Sequence, residues 1–388
     1  MADIKLFLLC VILITIGTVM SYSLSTYPTI LYHYGALHFF IREFATAVIG
    51  ILLMWVLSHI NMDKSFLKIG SFIFITSFIC LIIFNFLPNS WAPAIGGAKR
   101  WLKVSFLPIA IAPTEFFKIG FVFFLTWSFT RKFKNKRTII EEIIAFMPYL
   151  LFFAVILILV AWLQNDFGQT FLLGLIMVGL LAFCRVNAKL PLIISLASFA
   201  TVILLILSSS HRIKRVQFWW SMNQDFILRL LPKSFSDSLR IENLPEPYQV
   251  QKAINALHNG GLLGQGIGKG TVKLGFLSDV HTDMVLAGIT EETGLIGLSI
   301  CTVLFFFVIY RILKIGVRLE EKSHSLFCIG SAMLIGFSFL MNALGITGLI
   351  PLKGIAVPFL SYGGSSLIAN CILIGIILSL SKKVKNLG

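Results

Sequence analysis

The sequence predicts an all-α membrane protein that crosses the bilayer about ten times. Hydrophobic residues make up 57% of its 388 residues and charged residues 13%, with 36 Phe. Soluble chains run near ~25% charged, and the mean hydropathy here is +0.91. Apolar runs of about 20 residues recur along the whole chain, each long enough to cross a hydrocarbon core of roughly 30 Å. The runs are continuously apolar, without the alternation a membrane strand requires, so helices are the spanning element.

Taken in order, the expected spans are 4–24, 38–60, 66–88, 112–130, 144–163, 167–184, 189–209, 283–312, 325–346 and 356–381. The first carries Lys5 and lacks a small-x-small cleavage site, so it reads as a retained helix and not as a secretory signal. The second holds Arg42 and Glu43 near one end, with no partner legible in the sequence. The fourth opens at Pro113, which suits a first helical turn, and the sixth follows Asp166, a natural N-cap. The eighth follows His281-Thr282-Asp283, and the tenth is entered through Pro358 and the run Ser361-Tyr362-Gly363-Gly364-Ser365-Ser366. Six cysteines, at 10, 80, 184, 301, 328 and 371, form no CxxC and lie in or beside apolar runs. They read as small core hydrophobes. The chain is expected to be one membrane domain over 1–388, with one large outer loop at about 210–282 that carries amphipathic interfacial helices.

The net charge is +15, and its placement speaks of topology, not of nucleic acid. Lys64, Lys68, Arg131, Lys132, Lys134, Lys136, Arg137, Arg185, Lys189, Arg311, Lys314, Arg318, Lys322, Lys382, Lys383 and Lys385 fall in alternate, mostly short connections and the C-terminal tail. By the positive-inside rule that face is cytoplasmic and both termini lie on it. Asp283 then faces the outside of the cytoplasmic membrane.

Polar residues gather on that outer face. Asp283 sits where a polar, glycine-punctuated stretch meets an apolar run, and it is either a helix cap or a functional carboxylate. Glu115 and Lys118, at i and i+3, form either a buried ion pair or part of a site. Arg100 beside Trp101 suits an interfacial anchor or a phosphate contact. Thr290 and Glu291 share the face of Asp283, while Glu292 points elsewhere. The glycines from Gly260 to Gly270 lack the strand and helix of a dinucleotide fold. They read as a tight loop whose backbone N–H groups could turn toward a phosphate.

The segments GGAKRW (96–101), PTEFFK (113–118), QNDFGQ (164–169), YQVQKAINALHNGGLLGQGIGKG (248–270), HTDMVLAGITEETGLIG (281–297) and PLKGIAVPFLSYGGSSL (351–367) resemble, in order, the motifs of the SEDS family (shape, elongation, division and sporulation), the FtsW and RodA group of peptidoglycan glycosyltransferases. The PLKG form is similar to the FtsW branch, with RodA the close alternative. The resemblance implies an inner-membrane enzyme that polymerises lipid II into glycan strands beside a class B penicillin-binding transpeptidase, other division proteins and membrane lipids, at the septum. It places the essential aspartate on Asp283, the Glu and Lys of another motif on Glu115 and Lys118, and a third acidic residue on Asp166. Departures from the family pattern are Asn165 where proline is usual, Ser278-Asp279 where Pro-Glu is usual, and Gly275 where some members are acidic.

The implied inversion from an α-linked diphosphate to a β-1,4 bond needs one general base, assigned to Asp283. It also needs positive charge on the departing diphosphate, for which Arg100, Lys118, Arg215, Lys353 or a divalent cation (Mg or Mn) are candidates. His281 and Ser361 complete the candidate substrate contacts, and no soluble cofactor is required. A lipid II flippase and a non-catalytic division scaffold are the competing readings.

Overall fold

The computed structural model describes residues 2–95, 98–103, 110–134, 137–208, 210–229, 232, 239–241, 248–277, 279–351 and 354–384. The chain is a helical bundle. In order run α1 (Ile4–Leu24), α2 (Thr26–Leu31), α3 (His38–His59), α4 (Met62–Phe84), α5 (Pro113–Lys132) and α6 (Ile139–Ile156), the last continued by a π-helical turn (Leu157–Leu163). There follow α7 (Phe167–Ala182), α8 (Lys189–Leu207), α9 (Ser210–Leu228), α10 (Tyr248–Gly260), α11 (Val285–Arg318), α12 (Lys322–Ile346) and α13 (Gly364–Ser381). Between α4 and α5 lie two short antiparallel hairpins, β1 (Ala94–Ile95) with β2 (Ala98–Lys99) and β3 (Leu102–Lys103) with β4 (Ala110–Ile111).

Each of the ten expected spans contains a helix, and among the described residues seven helices are long and apolar enough to cross a membrane. Phe167–Ala182 and Lys189–Leu204 are shorter apolar helices, and α5 carries Glu115, Lys118, Arg131 and Lys132. The third span begins four residues earlier than expected, at Met62. The fifth begins at Ile139, because Thr138 and Glu141 close a capping box there. The tenth begins only at Gly364; the residues before it form an irregular loop.

Lipid is as apolar as leucine, so packing and not water exclusion holds such a bundle together. The phenylalanines supply it: Phe74 of α4 stacks on Phe124 of α5 with centroids 4.8 Å apart, and Phe78 and Phe121 both pack on Phe152 of α6. At one end of the bundle Asp3 caps α1 through Leu6 N–H at 3.0 Å, pairs with Arg311 at 2.6 Å and donates its own N–H to Ser381 at 2.9 Å. That cluster locks α1, α11 and α13 together. Cys10, Cys301, Cys328 and Cys371 are buried free thiols within this packing.

The expected single helix from Asp283 is instead broken. Helix α11 starts at Val285, runs on to Arg318, and is interrupted at Gly294, whose φ of 70° and ψ of −175° no helix contains. A break frees backbone groups that lipid cannot satisfy. The glycine loop after α10 satisfies them: Gln265 and Gly266 donate N–H to the carbonyls of Glu291 and Glu292 at 2.9 Å each, and Gly261 and Leu262 carbonyls accept from Leu295 and Ile296 at 2.9 and 3.2 Å. Those N–H groups therefore mend a helix and do not face a phosphate. A Cβ on Gly294 would lie 2.3 Å from the Leu262 carbonyl oxygen. Gly294→Ala is accordingly expected to cost on the order of 1–3 kcal/mol or more, read as a lower unfolding midpoint of the detergent-solubilised protein.

Candidate active site

A turn made by Asp279, whose carbonyl accepts the N–H groups of Thr282 and Met284 at 3.1 and 3.2 Å, delivers His281, Thr282 and Asp283 to the start of α11. The N-cap position belongs to Met284, so Asp283 is not the residue that caps α11. Three successive main-chain carbonyls in this run are each held from another element. Tyr362 N–H donates to His281 at 2.8 Å, the Ser361 hydroxyl to Thr282 at 2.7 Å, and the Asn342 amide of α12 to Asp283 at 2.6 Å. Asn342 also donates to the Ile355 carbonyl at 2.7 Å, and Ser361 accepts Val357 N–H at 2.8 Å. The Asp283 carboxylate opens on a crevice shared with Met341, Asn342, Gly345 and Gly354. A Cβ built on Gly354 would be 3.5 Å from Asp283 Oδ2, at a φ of +89° that side chains rarely adopt.

Ser361 thus positions the Asp283 segment. His281 is packed among Phe39 and Tyr362, with ring centroids 5.5 and 5.6 Å away. Burial pulls its imidazole down from the usual 6.5 to about 4, against the opposing pull of Asp279, so it is neutral at pH 7.

A second polar cluster lies along α5 and α7. Lys118 pairs with Glu115 at 2.7 Å, and Gln169 donates to the other Glu115 oxygen at 3.2 Å. Asp166 caps α7 through Gln169 N–H at 3.3 Å and faces Arg100 at 3.5 Å. Burial pushes the Asp166 carboxyl above its ordinary range, with Arg100 pulling the other way. Arg100 also donates to the carbonyls of Gln164 and Asn165 at 3.3 and 2.7 Å. It therefore ties the β-hairpin loop to the α6–α7 turn. Asn165 has a φ of +51°, a region closed to the proline common at this position in the family and open to asparagine. Gln164 is buried, and neither amide atom has a hydrogen-bond partner among the described residues; a buried amide of that kind marks a place for water or a ligand hydroxyl. Arg215 on α9 is exposed, yet its guanidinium pKa is lowered, first by desolvation and then by Arg100, so the two positive charges share one region.

The start of α13 joins the clusters. Ser365 donates to the Ala110 carbonyl at 2.7 Å and accepts Ala112 N–H at 2.9 Å, four positions after Ser361, a chain distance of at most about 15 Å. Glu43 of α3 accepts Gly363 N–H at 3.3 Å, and Arg42 hydrogen-bonds Tyr362. This answers where the charges of the second span find partners. Lys353 lies outside the described residues.

Sequence reasoning did not single out Asn342, Gln169 or Lys273. An asparagine inside an apolar span was the available signal for the first. Lys273 and Ser23 pair with Glu292 at 2.6 Å each, and Glu291 accepts the N–H groups of Thr271 and Val272 at 3.1 Å each. Both carboxylates hold the loop that leads to Asp283.

Among the described residues no three His, Cys, Asp or Glu side chains converge on a metal position. The carboxylates nearest the site face Arg100, Lys118, Lys273 or backbone N–H groups, a donor set that does not fit a resident divalent cation.

Carboxylates and cations gathered toward one end of an apolar helical bundle define a multi-pass membrane protein that handles a polar group near the lipid–water boundary. The family model described as cell cycle protein, FtsW/RodA/SpoVE, matches residues 4–386, and the chain belongs to that family. The probable peptidoglycan glycosyltransferase FtsW of Helicobacter pylori strain J99 is 51% identical over 386 residues, 99% of each chain. The protein of that name from Geobacter sulfurreducens strain DL-1 is 27% identical over 384 residues, covering 99% of this chain and 96% of its own. Among solved structures, a chain of a peptidoglycan synthase complex superposes with a TM-score of 0.71 at 20% identity, over 98% of both chains. The rod shape determining protein RodA of Thermus thermophilus gives 0.65 at 20% identity, over 99% of this chain and 98% of that one. At such identity these two structures show a common fold.

Two outcomes are expected. Lys118→Met leaves Glu115 charged and buried and should lower stability by about 3–5 kcal/mol, while Lys118→Met with Glu115→Gln recovers most of that loss in thermal unfolding. Because unfolded His281 takes up its proton first as the pH falls, stability should drop between about pH 6.5 and 4. His281→Gln should flatten that slope.

Proposed function

We propose that this chain is a peptidoglycan glycosyltransferase that polymerises lipid II into β-1,4 glycan strands at the outer face of the cytoplasmic membrane. The full-length likeness to proteins named FtsW supports the activity, and the FtsW-type PLKG segment supports a role at the division septum. The observation that carries the chemistry is Asp283, the last of three consecutive residues whose carbonyls are each held by a donor, and a residue that lines a crevice with Asn342 and Gly354.

Asp283 takes the proton from the acceptor sugar's 4-hydroxyl as that oxygen attacks the donor's anomeric carbon. The bond from that carbon to the diphosphate breaks, inverting the centre, and the polyprenyl diphosphate leaves. Arg100 and Arg215 supply positive charge for the departing diphosphate, with Lys118 and Lys353 as further candidates. A neutral His281 keeps a competing positive charge away from the base. A divalent cation (Mg or Mn), if the reaction uses one, would meet no converging set of His, Cys, Asp and Glu side chains among the described residues.

The basic residues of alternate connections support cytoplasmic termini and an outward site. The structural likeness to a synthase complex supports a penicillin-binding transpeptidase as partner, beside other division proteins. A carrier would place its site near the midplane between repeated halves, and the one-ended gathering of polar residues weighs against transport.

Asp283→Asn, assayed for glycan polymer from lipid II with the cognate transpeptidase present, is expected to lose at least about 10²-fold in rate while folding and complex formation persist. Polymerisation at the wild-type rate would remove Asp283 from the reaction.

A further inference from the structure

The connection from α1 to α3 carries aromatic residues that the reaction as described does not use. Tyr32 and Tyr34 are 62% and 46% exposed. Tyr34 lies flat on His38, with centroids 4.1 Å apart and planes 3° from parallel, and meets Tyr32 at 6.0 Å and Phe39 edge-on at 5.9 Å. Phe39 in turn contacts His281 at 5.5 Å and Tyr362 at 5.2 Å. The rings therefore form an unbroken path from the open surface to a residue two positions from Asp283. The same connection grips the loop before the site, since a Cβ on Gly275 would come within 2.7 Å of the Tyr27 ring. An acidic residue there, as in some family members, would displace Tyr27.

We infer that Tyr32, Tyr34 and His38 form a saccharide-binding subsite that takes the amino-sugar rings of the acceptor strand, an assignment that rests on the glycosyltransferase reading above. A pyranose presents an apolar C–H face and a polar rim. The C–H face packs on the negative face of an aromatic ring, and the Tyr34 hydroxyl and His38 nitrogens are of the right type for the rim. The ring path ends at His281, two residues before Asp283. An aromatic belt anchoring the chain in lipid headgroups is the competing role, and it requires amphipathic residues at the interface without requiring any saccharide affinity.

The test uses the full-length protein in lipid nanodiscs, titrated with a soluble β-1,4-linked N-acetylglucosamine tetrasaccharide. Tyr34→Phe, which keeps the ring and loses the rim hydroxyl, should bind more weakly than the wild type but more tightly than Tyr34→Ala and Tyr34→Leu, which should bind roughly tenfold more weakly than the wild type. In polymerisation with the transpeptidase, the same two variants should raise KM more than they lower kcat. The subsite is overturned if the wild type binds no tetrasaccharide, or if Tyr34→Leu, which keeps the apolar bulk without the ring, binds as well as the wild type. Binding that depends on Tyr34, in a wild-type complex that makes no polymer, would leave the subsite standing and overturn the glycosyltransferase reading.

Discussion

Three hydrogen bonds onto consecutive main-chain carbonyls, at His281, Thr282 and Asp283, hold the segment on which the rest of the site depends. The donors come from the loop before α13 and from α12, so the segment is placed by elements that the chain reaches 59 to 81 residues later. A segment fixed through its backbone holds its carboxylate in place, and a group held this way costs little reorganisation when a substrate arrives. Asn342 also joins two segments: one buried amide bridges the Asp283 and Ile355 carbonyls and keeps two irregular segments in register.

The constraint spreads because irregular backbone in a membrane protein must be satisfied by protein. The interruption of α11 at Gly294 is tolerated because the loop after α10 completes the missing bonds. Two carboxylates beside the break then secure the loop that continues to Asp279, Glu291 through backbone N–H groups and Glu292 through Lys273 and Ser23. Both carboxylates are thereby committed to holding a loop. At the other end, Asp3, Arg311 and Ser381 tie α1, α11 and α13, so both ends of the helices around the site are anchored.

The α5–α7 cluster shows how one buried charge recruits another. Glu115 needs Lys118 and Gln169, and Asp166 serves at once as cap and as partner of Arg100. Breaking any member strands a charge in an apolar surrounding, which is costly. The buried amide of Gln164 lies beside Arg100, which donates to the Gln164 carbonyl, and has no hydrogen-bond partner of its own among the described residues.

The sequence by itself determined the helical membrane class, because continuous apolar runs admit no other spanning element. It also determined the placement of α1, α3 and α7 to within a residue or two, and the choice of Asp283, Glu115, Lys118, Asp166 and Arg100 as residues of interest, since charges at membrane boundaries stand out against apolar neighbours. Only the tertiary structure decided what those residues do to one another. The break at Gly294 was hidden because a glycine in an apolar helix is ordinary in membranes, and its partner loop lies some thirty residues upstream in the chain. The bracing by Asn342, the partners of Glu43 and Lys273, and the ring path from Tyr34 to His281 all join residues remote in sequence. Periodicity and composition report on neighbours along the chain, whereas these contacts exist only once the helices have packed.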